Sequence, residues 1–318
     1  MDSKLVEAGK LLEIRVGSHL YGTNHAESDE DFSGVFIPPM SYYFGLDRVE
    51  EVDLSVSSKL PNGRNASDAI DRKFYELRKF CTLALECNPN IISHLFVNEE
   101  NIIFSNSVGE QLLANRQLFL HKGLKGRFIG YSISQKKKMY VKRDTYLNLE
   151  AGLEKALYLV TKAKEAKYVF EIEQDLLSSG FFEDNGNQHL ICADLYIQKN
   201  VTLKKAIEQI QNRVNKFGGR KSLVDEFGYD TKFATNLIRL LLEGKELLET
   251  GDLIYPLKDR ALLQDIRRGK YSLDEIEKMS VEIENSLLNE YESTDLPVHP
   301  RYDKVNRLLV EMLGRNFQ

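Results

Sequence analysis

The sequence predicts an α+β protein, with a small N-terminal domain of strands and helices followed by a larger α-helical domain. Three observations carry this expectation. The first third alternates short apolar runs with turn residues. The hydrophobic period changes from two to helical near residue 75. Long helical patterns dominate from about residue 105 onward. A chain of 318 residues has room for two domains, expected as 1–120 and 121–318, although no Pro/Gly/Ser linker marks that boundary.

In chain order, 11-LLEIRV-16 reads as a strand ending at Gly17-Ser18, and 31-DFSGVFIP-38 as a second strand stopped by Pro38-Pro39. A short helical or looped segment joins them. Next, 49-VEEVDLSVS-57 alternates at period two and runs into 61-PNGRN-65, where Asn-Gly signals a tight turn. The chain is expected to return as a strand through 69-AIDRKF-74. In 75-YELRKFCTLALECN-88, Leu77, Phe80, Cys81, Ala84 and Leu85 share one helical face, ended by Asn88-Pro89. Further helices are expected over 151–180, 201–217, 231–250 and 273–292, with a docking helix in the tail 295–316 behind a Pro-marked loop.

Apolar residues make up 42% and charged residues 29%, the balance of a globular protein. With 43 basic against 48 acidic residues, the net charge of −5 argues against coating nucleic acid or membrane with the whole surface. Cys81, Cys87 and Cys192 have neither the number nor the spacing of a disulfide framework or a zinc site, and are expected to be buried hydrophobes in a reducing compartment. The N-terminus lacks an apolar signal core and no window approaches a membrane span, so a cytoplasmic location is expected.

The chemistry concentrates in 16-VGSHLYGTNHAESDEDF-32. On a strand, residues i and i+2 face the same side, so Asp29 and Asp31 present their carboxylates together while Glu30 faces away. Two such anions call for a cation. Mg²⁺ suits them, because it shares its oxygen ligands between carboxylates, waters and substrate phosphates. Gly17 lets backbone approach a phosphate and Ser18 adds a hydroxyl donor. Either signal alone is usually a turn or a solvated loop; strand, Gly-Ser, ten residues, Asp-x-Asp, strand is far more specific and points to phosphoryl transfer.

This layout resembles the DNA polymerase β-type nucleotidyltransferase superfamily. Three blocks, GSHLYGTNHAESDEDFSGVFIPP, YELRKFCTLALECNPNIISHLF and YDTKFATNLIRLLLEGKELLETGDLIYPLKDRALLQDIRRGKYSLDEI, are similar to predicted nucleotidyltransferases of the YcgL type, which include an RNA-repair-associated branch and members in bacteria and phages. The resemblance implies a small mixed sheet, an NTP substrate, two Mg²⁺ ions and a third carboxylate on a neighbouring strand. That residue is Asp71, four before the aromatic of 75-YELRK-79; Asp53, in Val52-Asp53-Leu54, rivals it on local pattern. Asp29 and Asp31 would bridge ions about 3.5–4 Å apart, with Asp71 completing the ion that activates the acceptor hydroxyl. Two departures stand out: His19 where relatives carry Arg, and Ser93 where they carry Glu.

In the 231–250 helix, Lys232, Asn236, Arg239 and Glu243 form one polar stripe, read either as a solvated face or, for Lys232 and Arg239, as phosphate contacts. Arg78 and Lys79 are lesser candidates. Residues 121–143 hold eight Lys or Arg and no acid, interleaved with Phe128, Tyr131 and Tyr140. That is either an RNA or tRNA footprint or a solvated helix face with its aromatics in the core. His25, His94 and His189 lack ligand spacing. The leading expectation is an enzyme, against a non-catalytic nucleotide- or RNA-binding module and an interaction protein of phage or host defence.

Overall fold

The computed structural model describes residues 2–25, 28–56, 70–163, 165–186, 188–217 and 219–317. The expected turn at 61–65 lies outside them. The strands of the first third are β1 (Lys10–Val16), β2 (Glu30–Phe36), β3 (Glu51–Asp53), β4 (Ile70–Glu76) and β5 (Ile102–Ser105). They form one sheet in the order β3-β4-β2-β1-β5. Only β2 and β4 run parallel, so the sheet is mixed. Helices α1 (Asp2–Gly9), α2 (Gly17–Tyr21), α3 (Ser41–Phe44), α4 (Leu77–Leu85), α5 (Pro89–Leu95) and α6 (Ser107–Ala114) accompany it.

Alternation along the strands gives the sheet two faces. One buries Phe36, Val52 and Phe74 with Val6 of α1. The other carries Asp31, Ser33 and Asp71, and α5 lies against it, with His94 Nδ1 3.4 Å from Ser33 Oγ. Local sequence sets the helix starts: the Glu76 carboxylate accepts from the Arg78 and Lys79 amides, both at 2.9 Å, at the head of α4. Asn88-Pro89, read as a terminator, also starts α5, since Asn88 Oδ1 accepts from the Asn90 amide and Pro89 fits the first turn.

The remaining helices are α7 (Leu124–Lys162), α8 (Glu173–Leu177), α9 (Leu203–Asn215), α10 (Gly219–Phe227), α11 (Thr231–Thr250), α12 (Arg260–Arg267), α13 (Leu273–Ser293) and α14 (Tyr302–Asn316). The helix expected over 151–180 begins at Leu124 and ends at Lys162. Beyond it, the Val169 and Phe170 amides bond to Val201 O and Lys199 O, so tertiary pairing claims backbone that helical periodicity had suggested for α7. The helical part also contains β6 (Glu183–Asp184), β7 (His189–Cys192) and β8 (Leu195–Gln198), a three-stranded antiparallel sheet whose strands are too short to register as a pattern.

The compact units divide the chain differently from 1–120 and 121–318. Among the described residues, the first comprises those up to 135 and from 234 onward, and the second those within 136–233. The C-terminal third belongs to the sheet unit because its side chains and backbone bond there. Lys122 N–H donates to Pro297 O at 2.8 Å, Arg301 Nη1 to Gln117 O at 2.7 Å, and the rings of Tyr43 and Phe317 meet edge-on at 5.7 Å. The second unit has its own core, including Leu149, Ile172, Leu190, Ile197 and Ile210. No helix among the described residues is long and apolar enough to cross a membrane.

Candidate active site

The sheet register assembles the site. Asp31 of β2 pairs with Asp71 of β4, and Val16 of β1 lies opposite Asp31 on its other side. The β3 register, continued by the Val56–Ile70 bridge, sets Ser55 opposite Asp71. Directly opposed residues share a face, so Val16, Asp31, Asp71 and Ser55 form one row across four strands. Asp29 lies just ahead of β2. Glu30 turns to Arg15, with 3.5 Å between its Oε1 and the arginine Nε.

Gly17 follows Val16 directly and adopts φ +66°, a region that costs any residue with a Cβ. A Cβ at Gly17 would lie 2.4 Å from Asp31 Oδ2. The Gly-Ser turn and the first carboxylate of the row are therefore in direct contact, which the sequence spacing alone implied but did not show.

Asp71 and Asp53 are held differently. Ser55 Oγ donates to Asp71 Oδ1 at 2.7 Å and accepts from the Arg72 amide at 3.0 Å. Asp53 is opposite Lys73, and its Oδ1 accepts from the Ser55 amide at 2.9 Å. The Ser55 hydroxyl and amide hold the Asp53 carboxyl below the usual range.

Behind the turn lies a buried polar network that corrects the solvated-face reading of the 231–250 stripe. Arg239 and Glu243 are buried and paired at 2.6 Å, and Tyr255 Oη donates to the other Glu243 oxygen at 3.1 Å. The Arg239 guanidinium lies 4.1 Å from the ring centroid of Tyr21, the last residue of α2, and Tyr255 adds a ring 5.9 Å away. Burial raises the Glu243 carboxyl above the carboxylate range, against the pull of Arg239. Burial likewise raises Tyr21, opposed by Arg239, with Ser93 as a hydrogen-bond partner and Asp31 in its field. Leu257 N–H donates to Tyr21 O at 3.2 Å and Gln264 Nε2 to Gly22 O at 3.0 Å. Sequence reasoning did not single out Tyr21 or Tyr255, since no local motif marks either residue. Arg239 Nε and His19 Nε2 are buried without a hydrogen-bond partner among the described residues.

Lys232 is exposed and belongs to the second unit. Arg78 stacks on Tyr43 at 4.9 Å and Lys79 pairs with Glu50 at 2.6 Å. In the basic segment Phe128 is fully buried, Lys122 and Lys125 sit over Tyr291, and Arg127 pairs with Glu86. Lys136, Lys137 and Lys138 of the second unit form no ion pair among the described residues. His94 is buried, which pushes its pKa down to about 3. All three cysteines are buried and free. Burial pushes the Cys87 and Cys192 thiols up to about 12. The contact between Cys87 Sγ and His121 Nε2 at 3.1 Å is no nucleophilic dyad. His121 Nδ1 accepts from the Gly123 amide, so Nε2 keeps the proton and faces Leu85 O at 2.8 Å.

Among the described residues, no group of three or more His, Cys, Asp or Glu side chains is gathered to hold a metal alone. The site supplies two in-register carboxylates, Asp31 and Asp71, with Asp29 close by in sequence and the Gly17 backbone packed against the Asp31 carboxylate. This hard oxygen set fits Mg²⁺, which uses one or two carboxylates and takes its other ligands from water and phosphate.

A model described as RNA repair pathway DNA polymerase beta family matches residues 7–174, a span that includes all three aspartates. An uncharacterised 38.9 kDa protein of Enterobacteria phage T4 is 26% identical over 290 residues, covering 82% of this chain and 83% of that protein. The crystal structure of a nucleotidyltransferase-like protein from Exiguobacterium sibiricum aligns with 92% of this chain and 72% of its own, at 10% identity. Its TM-score of 0.26 is too low to carry an argument.

Proposed function

Since this chain belongs to the RNA repair pathway DNA polymerase beta family, we propose that it is a Mg²⁺-dependent nucleotidyltransferase moving a nucleoside monophosphate from an NTP to a hydroxyl acceptor, an RNA 3′ end. The observation that carries this reading is the in-register Asp31–Asp71 pair in contact with the Gly17-Ser18 turn. Asp29, Asp31 and Asp71 would hold Mg²⁺ together with water and phosphate oxygens, and the ion would supply Lewis-acid stabilisation of the triphosphate and acidify the acceptor hydroxyl.

The chain's own residues do the rest. Gly17 and Ser18 would offer backbone and hydroxyl donors to the phosphates, from a turn whose first residue has no room for a Cβ beside Asp31. Asp71 takes the acceptor proton as the new O–Pα bond forms and the bond from Pα to pyrophosphate breaks. Of the two cations read from the 231–250 stripe, Arg239 belongs to the unit that holds the carboxylate row. Because its Nη1 is committed to Glu243, Arg239 acts through Tyr21, keeping α2 in place and adding positive charge behind it. RNA is the proposed partner of the basic segment, through Lys136, Lys137 and Lys138.

The test is incubation with each α-labelled NTP, Mg²⁺ and total tRNA or cell extract, beside an Asp29→Asn/Asp31→Asn control. Label transferred by the wild type and lost in the control supports the enzyme. Mg²⁺-dependent NTP binding without transfer to any acceptor supports the binding module instead.

A further inference from the structure

We propose that Ser55 is a positioning residue for Asp71, fixing which carboxylate oxygen faces the metal and the acceptor hydroxyl. This rests on the nucleotidyltransferase reading above and goes beyond it, since nothing in the sequence motif points to Ser55.

Three features make the assignment. Ser55 is the cross-strand neighbour of Asp71 on the carboxylate face. Its Oγ accepts the Arg72 amide at 3.0 Å, which fixes the oxygen, and its hydroxyl donates to Asp71 Oδ1 at 2.7 Å. A hydroxyl has a single proton to give, so this bond commits Oδ1 and turns Oδ2 toward ligand and acceptor. The same residue restrains the rival carboxylate, because its amide donates to Asp53 Oδ1 at 2.9 Å. Ser55 thereby sorts two nearby carboxylates, one oriented for the row and one tied to its own strand.

A partner that orients a metal-binding carboxylate is worth about 10–100-fold in metal affinity or activity. Ser55 is exposed, so its replacement leaves the core intact. The probe is Mn²⁺, titrated into the full chain and read by electron paramagnetic resonance, with wild type, Ser55→Ala, Ser55→Thr, Asp31→Asn and Asp71→Asn. Circular dichroism checks that each variant is folded. The expected result is Mn²⁺ affinity about 10–100-fold weaker in Ser55→Ala, restored in Ser55→Thr, and lost in both aspartate variants. Wild-type affinity in Ser55→Ala, with the aspartate variants impaired, overturns the role of Ser55 and leaves the enzyme standing. Wild-type affinity in Asp31→Asn and Asp71→Asn, or no binding by the wild type, overturns the metal site and Ser55's role with it. A kinetic readout adds a separate check: Ser55→Ala is expected to lower kcat more than it changes KM for the NTP, and an effect confined to KM counts against orientation of the proton acceptor.

Discussion

Replacing Gly17 by alanine strains the site in two separable ways. The residue sits at φ +66°, and holding a Cβ-bearing residue in the left-handed region costs about 1–2 kcal/mol. The new Cβ would also lie 2.4 Å from Asp31 Oδ2. Ordinary contact requires the carboxylate to retreat by roughly 1 Å. A displacement of that size at a reacting centre costs on the order of 100-fold in rate. Urea denaturation and label transfer from an α-labelled NTP read the two effects independently. Gly130→Ala is the control: it lies inside α7, where an added Cβ meets nothing within 4 Å. It is expected to leave transfer unchanged and raise stability by about 0.5–1 kcal/mol. A Gly17→Ala variant with wild-type transfer and stability refutes the contact between turn and carboxylate.

Three further outcomes are expected. Glu243→Leu leaves the Arg239 charge buried without its partner and is expected to cost about 3–5 kcal/mol, read from the urea midpoint; an unchanged midpoint shows that the pair is not buried as described. His94, with a folded pKa of about 3 against 6.5 in the free residue, binds a proton on unfolding between those values. Stability should therefore fall as pH drops below 6.5, by up to about 1.4 kcal/mol per unit from this residue, and His94→Gln should flatten that part of the profile; identical profiles contradict the buried neutral imidazole. Replacing Lys136, Lys137 and Lys138 by glutamine should reduce the slope of log affinity for single-stranded RNA against log salt by about 2, and an unaltered slope removes them from the RNA surface.

Strands β1 to β4, α9, α11, α13 and the C-terminal helix were legible from hydrophobic residues repeating at the period of each element. Gly17, Asp29 and Asp31 were legible because they are close in sequence. Asp71 needed the family resemblance to single it out, since its pairing with Asp31 depends on a parallel register that no local pattern encodes. Ser55 was hidden because its place opposite Asp71 depends on the antiparallel register of β3 and β4, which no local pattern encodes either. The Arg239–Glu243 stripe was visible as polar residues at helical spacing, but its burial depends on Tyr21, more than two hundred residues earlier in the chain. The division into compact units was not legible for a related cause: hydrophobic periodicity does not reveal that residues 234–318 return to the sheet unit.

The central claim is that the row Asp31–Asp71, and not Asp53, forms the transfer centre. It is tested most directly by measuring label transfer in Asp71→Asn and Asp53→Asn side by side, both confirmed folded. The account predicts transfer abolished in Asp71→Asn and largely kept in Asp53→Asn. Transfer kept in Asp71→Asn, or abolished only in Asp53→Asn, contradicts it.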